Sequence, residues 1–121
     1  MSDRIKVIDY KGHKILCGDS SGLKPAEIVA LLPEISRIMI EQKIFLIFQD
    51  VNNTTSDETV KKAAIESATK TATALGRPAY SAFIGIRGLQ KIIANAALRG
   101  QYFASTREEA LDWLVQQAEK K

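Results

Sequence analysis

The run Ile44-Phe45-Leu46-Ile47-Phe48 is apolar at every position and short. A strand with no polar alternation is covered on both faces, the situation of an inner strand in a parallel sheet. It leads into "QDVNNTTSDE" (Gln49 to Glu58), a polar loop that ends in a helix start. There Thr55 and Glu58 have capping-box spacing, with Asp57 as the competing cap. A second strongly apolar run, Ala79 to Ile86, reads as another inner strand. Two such strands demand crossover helices, and the rest of the chain supplies them.

"RIKVIDY" (Arg4 to Tyr10) alternates Ile5 and Val7 against Lys6 and Asp9, with Ile8 breaking the pattern, and predicts a half-buried strand. Lys11-Gly12 is a tight turn, and His13 to Gly18 is the antiparallel partner. After a loop over residues 19–24, Pro25 suits the first turn of a helix. Ile28, Leu31, Leu32, Ile35, Ile38 and Met39 mark its buried face. Pro33 within it is expected to kink the helix or split it. A second helix carries Val60, Ala64, Ala68, Ala72 and Leu75 on one stripe, where alanines would let it lie close against a sheet. Gly76 and Pro78 end it. Gly88 opens a third helix, with Leu89, Ile92, Ile93 and Ala96 inward, and Gly100 closes it. Tyr102 to Ser105 is a short last strand. Thr106 and Glu109 then form a capping box ahead of a final helix that buries Ala110, Leu111, Leu114 and Ala118.

The order is β-β-α-β-α-β-α-β-α. It predicts one α/β domain over residues 1–121, a mixed, mostly parallel five-stranded sheet with four helices. At 121 residues the chain buries enough surface for a core without disulfides or metal. Right-handed crossovers between adjacent strands place helices mainly on one sheet face. The other face then needs the N- or C-terminal element, or a second copy, so a homodimer is among the expectations.

Several function classes are disfavoured at once. The net charge is only +3 and the basic residues are scattered, without the stripe or interleaved aromatics of a nucleic-acid binder. No apolar run approaches the ~18 residues of a membrane span, and no secretory pattern opens the chain. The expected compartment is the cytoplasm. Cys17 is the single cysteine and lies in an apolar run, a buried thiol rather than a nucleophile. His13 is the single histidine, so a metal site or a histidine-based nucleophile system lacks its parts. No cofactor is implied.

Four pieces in this order, "GHKILCGDSSGL", "IFLIFQD", "SAFIGIRGLQKI" and "FASTREEALDWL", resemble the STAS/SpoIIAA-like family. This is the anti-sigma-factor antagonist fold, related also to the Sec14 lipid-carrier core, and the likeness is greatest to a divergent bacterial STAS/SEC14 branch. The resemblance covers almost the whole chain. It implies a non-enzymatic regulatory or binding domain that acts on a protein partner. The alternative it implies is a small carrier of a lipid or other apolar ligand. In antagonists of this family a "DSSGL"-like motif follows the strand after the first long helix, and its serine is phosphorylated by the partner kinase. Here "DSSGL" (Asp19 to Leu23) comes one βα unit earlier. Asp19 and the serines therefore read as a connector that bonds local backbone, with Gly22 supplying a permissive dihedral.

The topologically matching loop is Asp50, Val51, Asn52, Asn53, Thr54, Thr55 and Ser56. A phosphate on Thr54, Thr55 or Ser56 would sit at a helix N-terminus, which favours negative charge. A plain N-cap by Thr55 or Ser56 accounts for the same residues without regulation. Asp50 is either a loop-orienting carboxylate or a polar ligand contact. "GIRG" (Gly85, Ile86, Arg87, Gly88) is a second candidate, an anion or ligand seat made of backbone amides and the Arg87 guanidinium. A tight strand-to-helix turn is the plainer account, since the segment lacks a phosphate-loop fingerprint.

Overall fold

Residues 4–54, 58–85 and 101–119 are described by a computed structural model. The elements are β1 (Ile5–Tyr10), β2 (His13–Asp19), α1 (Pro25–Gln42), β3 (Leu46–Asp50), α2 (Glu58–Leu75), β4 (Tyr80–Ile84), β5 (Gln101–Ala104) and α3 (Arg107–Glu119). The helix expected between Gly88 and Gly100 lies outside the described residues. The five strands lie in chain order, β1-β2-β3-β4-β5. β1 and β2 are antiparallel, and every other pairing is parallel. The apolar run thus does mark an interior strand flanked by like-directed neighbours.

That strand starts two residues later than the run itself. Lys43 takes a left-handed conformation (φ 56°) and the Ile44 N–H donates to the Met39 carbonyl at 2.8 Å, so Ile44 still belongs to the close of α1. A lysine in this conformation is strained by roughly 1–2 kcal/mol, more than glycine loses in chain entropy. Lys43→Gly is therefore expected to stabilise the domain by about 0.5–1 kcal/mol, read as a raised urea midpoint.

Strand alternation sorts the core into two layers. On one face Ile5, Leu16 and Ile47 meet Ile35, Ile38 and Met39 of α1. On the other, Ile15, Leu46, Phe48, Ala82 and Ala104 meet Ala110, Leu111, Leu114 and Val115 of α3. Ile8 and Tyr10 point to this second layer, which explains why Ile8 broke the one-sided pattern expected of β1. The C-terminal helix covers the second face, so the packing need that pointed to a second copy is met within the chain.

Lys11 and Gly12 both have positive φ (49° and 84°), as a two-residue hairpin turn requires. Asp112 of α3 ties this turn down, accepting from Lys11 Nζ at 2.8 Å and Tyr10 Oη at 2.7 Å. Pro25 occupies the start of α1, and the Glu27 carboxylate accepts the Lys24 N–H at 3.1 Å. Pro33 does not split α1. The proline is exposed, while Leu32 and Ile35 on either side are buried, so packing holds both halves as one helix. At the head of α3, Thr106 Oγ1 accepts the Glu109 N–H at 3.2 Å, and the Glu109 carboxylate accepts the Ser105 N–H at 3.0 Å.

The stripe expected on α2 is corrected. α2 packs on α1, not on the sheet. Val60 joins Leu23 and Ile28, whereas Ala68 is exposed. Deeper along the contact, Thr71 Oγ1 donates to the Ser67 carbonyl at 2.8 Å and lies 2.8 Å from Ser36 Oγ of α1. With the Thr71 proton committed, Ser36 is the donor, and the buried pair is satisfied. A hydroxyl pair at this interface lets the helices approach closely without bulky side chains between them.

Candidate functional site

β2, β3 and β4 end level with one another: Asp19 pairs with Asp50, and Asp50 with Ile84. Their backbone pairing continues past the strand ends. Ser20 N–H donates to the Asp50 carbonyl at 2.9 Å, Gly22 N–H to the Asn52 carbonyl at 3.0 Å, and Val51 N–H to the Ile84 carbonyl at 3.0 Å. Three loops are thereby joined into one rim at the carboxyl edge of the sheet, where open α/β sheets bind their ligands.

The two aspartates make the same turn. Asp19 Oδ1 accepts from the Ser21 N–H at 3.0 Å and from Ser21 Oγ, and Asp50 Oδ1 accepts from the Asn52 N–H at 3.0 Å and Asn52 Nδ2 at 2.8 Å. Each carboxylate folds back on the residue two places on, the habit of aspartate at strand ends. Asn53 follows with φ 57°, a conformation asparagine tolerates. Thr54 Oγ1 donates to the Val51 carbonyl at 2.7 Å, closing the next turn. Gly85 lies against this loop: a Cβ there would stand 2.6 Å from Asn52 Cγ, Oδ1 and backbone N.

Of the candidates, Asp50, Asn52, Asn53 and Thr54 lie together on this rim, and Gly85 adjoins them. Asn52 and Asn53 are exposed, and Asp50 and Thr54 half-buried. Asp50 acts here as a loop-orienting carboxylate. Thr55 and Ser56 lie outside the described residues, as do Arg87 and Gly88, and with them the guanidinium of the anion seat. Asp19 to Gly22 is the connector expected: Asp19 bonds local backbone and Gly22 has φ 73°. Ser20 is 3% exposed, so its hydroxyl is closed to an enzyme in this state.

Sequence reasoning missed Arg4. Its guanidinium donates to the Asp19 and Ser21 carbonyls at 3.2 and 3.1 Å and lies 3.9 Å from the Asp19 carboxylate. The missed signal is the repeat of Asp, any residue, then a polar donor at the ends of successive strands, Asp19-Ser20-Ser21 and Asp50-Val51-Asn52.

The hydrogen bonds from Ser21, helped by Arg4, hold the Asp19 carboxyl below the usual carboxylate range against a smaller opposing effect of burial. Because its folded value is the lower one, the stabilisation is complete above about pH 5 and is lost as pH falls through the carboxylate range. Asp19→Asn is accordingly expected to flatten the acid limb of a stability-versus-pH curve, measured by thermal unfolding between pH 3 and 6. The group is largely exposed, so the change is small.

Other chemistry is less developed. Cys17 faces the α3 layer, and burial pushes its thiol up, with Arg107 countering in part. Among the described residues no group of three or more His, Cys, Asp or Glu is placed to hold a metal ion, and no helix is long and apolar enough to cross a membrane. Among the described residues the sheet–helix layers close on their own side chains: Ile15, Leu16 and Leu114 are each 0% exposed.

No protein-family model matches the sequence, and no curated protein does. Solved structures do. An uncharacterized protein of the DUF3478 family with a SpoIIAA-like fold, from Shewanella loihica, matches with TM-score 0.64 and 18% identity over 91% of this chain and 91% of that one. RsbS from Moorella thermoacetica, bearing a serine-to-glutamate substitution, matches with TM-score 0.63 and 18% identity over 98% of this chain and 100% of that one. Strand order, helix placement and these two matches together establish that the chain has a SpoIIAA-like fold.

Proposed function

We propose that the chain is a non-enzymatic regulatory domain of the STAS/SpoIIAA type, which acts by binding a protein partner through the rim at the ends of β2, β3 and β4. The observation that carries this reading is the joining of the three loops by backbone hydrogen bonds, with Asn52 and Asn53 presented outward on them. A surface braced in this way is preorganised, so little ordering entropy is lost on binding. Fold alone does not assign a function, and the likeness to RsbS adds to the reading without replacing the rim geometry.

In this reading Asp50 and Asn52 set the loop shape, and Asn53 and Thr54 meet the partner together with Thr55 and Ser56. A phosphoryl group on one of the three hydroxyls would add up to two negative charges to that contact and change its affinity.

The test is co-purification from the native organism with wild-type protein and Asn53→Lys. Lysine adopts the left-handed conformation at Lys11 and Lys43, so the turn can accept Asn53→Lys at a cost of roughly 1–2 kcal/mol, and circular dichroism checks that the variant is folded. A partner held by wild type and lost by Asn53→Lys supports the reading, and a partner held equally by both overturns the rim as the contact. Incubation with native extract and ATP, then peptide mass mapping over residues 50–56, tests the phosphoacceptor separately.

A further inference from the structure

Where the chain leaves β2 it is gripped from two sides. Toward β3, the Ser20 and Gly22 N–H groups donate to the Asp50 and Asn52 carbonyls at 2.9 and 3.0 Å. Toward β1, the grip comes from Arg4. Its carbonyl accepts the Asp19 N–H at 2.8 Å, and its Nη1 donates to the Asp19 carbonyl at 3.2 Å and to the Ser21 carbonyl at 3.1 Å. The same nitrogen lies 3.9 Å from the Asp19 carboxylate.

Little else holds this connector. Of residues 20–24 only Leu23 is a large apolar side chain, and it is the one that enters the core, beside Ile28 and Val60. Segments with so few apolar contacts open locally at the low end of a domain's stability range. Polar bonds therefore decide closure, and those from a cationic donor are the stronger ones. The Arg4 guanidinium spans the two carbonyls on either side of Ser20, whose own carbonyl takes the Leu23 N–H at 3.1 Å. The residue beneath that span, Ser20, is 3% exposed, whereas Asp19 and Gly22 beside it are exposed.

We propose that Arg4 is a strap that holds residues 19–22 shut against the Asp50–Thr54 loop and so sets how often the rim opens. The strap governs the braced shape of that rim, and its purpose rests on the reading of the rim as the partner contact.

Ser20→Cys puts a thiol of nearly the same size where closure hides it. Labelling by N-ethylmaleimide, located by peptide mass mapping, then reads opening at that position. Cys17, half-buried on β2, is the internal reference: general loosening speeds both sites, and release of the strap speeds one. With Arg4 in place, position 20 is expected to label at least ten-fold more slowly than in the urea-unfolded chain. Arg4→Met keeps the length of the side chain and removes its donors. It is expected to speed labelling at position 20 about ten-fold while Cys17 stays within two-fold. With Ser20 intact, hydrogen exchange of the Gly22 N–H should rise about as much in Arg4→Met, and that of the Val51 N–H, bonded to Ile84, should stay within two-fold. Rapid labelling beside an intact Arg4, no acceleration in Arg4→Met, or equal acceleration of Cys17 would each overturn the strap. None of these readings needs a partner. A partner held equally by wild type and Asn53→Lys would sink the rim as the contact and leave the strap standing.

Discussion

Gly85→Ala is expected to destabilise the domain by about 2–5 kcal/mol and to displace the Asp50–Thr54 loop. Two effects add. At φ 92° an L side chain is strained by roughly 1–2 kcal/mol. The new Cβ would also stand 2.6 Å from three atoms of Asn52, and overpacking of that kind adds about 1–3 kcal/mol. Gly76→Ala isolates the first effect, because Gly76 has φ 72° but nothing within 4 Å of its added Cβ. It should cost about 1–2 kcal/mol and leave the rim unmoved. Asn52→Gly in the Gly85→Ala background should recover only part of the loss, since the Asn52 backbone N remains in the way. Urea unfolding gives the energies. Amide chemical shifts of Asn52 and Asn53 give the displacement, and a wild-type shift pattern in Gly85→Ala would show that the two loops are not in contact as described.

The same contact shows what a sequence can and cannot disclose. Gly85 was legible as part of a strand-to-helix turn, but its reason for being glycine lies in Asn52, more than thirty residues earlier. Only the parallel pairing of β3 with β4 brings the two together. The twin turns at Asp19 and Asp50 are a similar case: each is a local habit of aspartate, yet their alignment into one rim needs the register of β2 on β3. By contrast, the interior position of β3 was legible from its composition alone, because an unbroken apolar run admits no exposed face. The hairpin was legible from Lys11-Gly12 for an equally local reason.

α2 was misread because alanine is ambiguous. A stripe of small residues fits against a sheet or against another helix, and nothing in Val60, Ala64, Ala68, Ala72 and Leu75 chooses between them. The choice was made by Ser36 and Thr71, a hydroxyl on each helix, whose pairing is invisible until both positions are placed. The rim's candidate residues were chosen by topology rather than by motif. The "DSSGL" string, the more conspicuous match, holds a serine that is buried.

Leu114→Ala is expected to destabilise the domain by about 3–5 kcal/mol, the other large effect. Leu114 is 0% exposed and sits among Leu46, Phe48 and Ala82 of the sheet and Ala110, Leu111 and Val115 of α3. Truncation removes the transfer energy of the side chain and leaves a cavity between two rigid layers that cannot close over it. Ile65→Ala, a change of similar size at a side chain 40% exposed on α2, should stay within about 0.5 kcal/mol. Domains of this size hold about 5–15 kcal/mol in total, so the Leu114 variant loses a large share of its stability while its m-value stays unchanged. The comparison tests more than one side chain. If α3 is what shields the second sheet face, the loss is intrinsic to one chain, and the unfolding midpoints of wild type and Leu114→Ala are both independent of protein concentration. If a second copy shielded that face instead, the midpoint would climb with concentration by mass action, and Leu114→Ala would cost far less than a core leucine should.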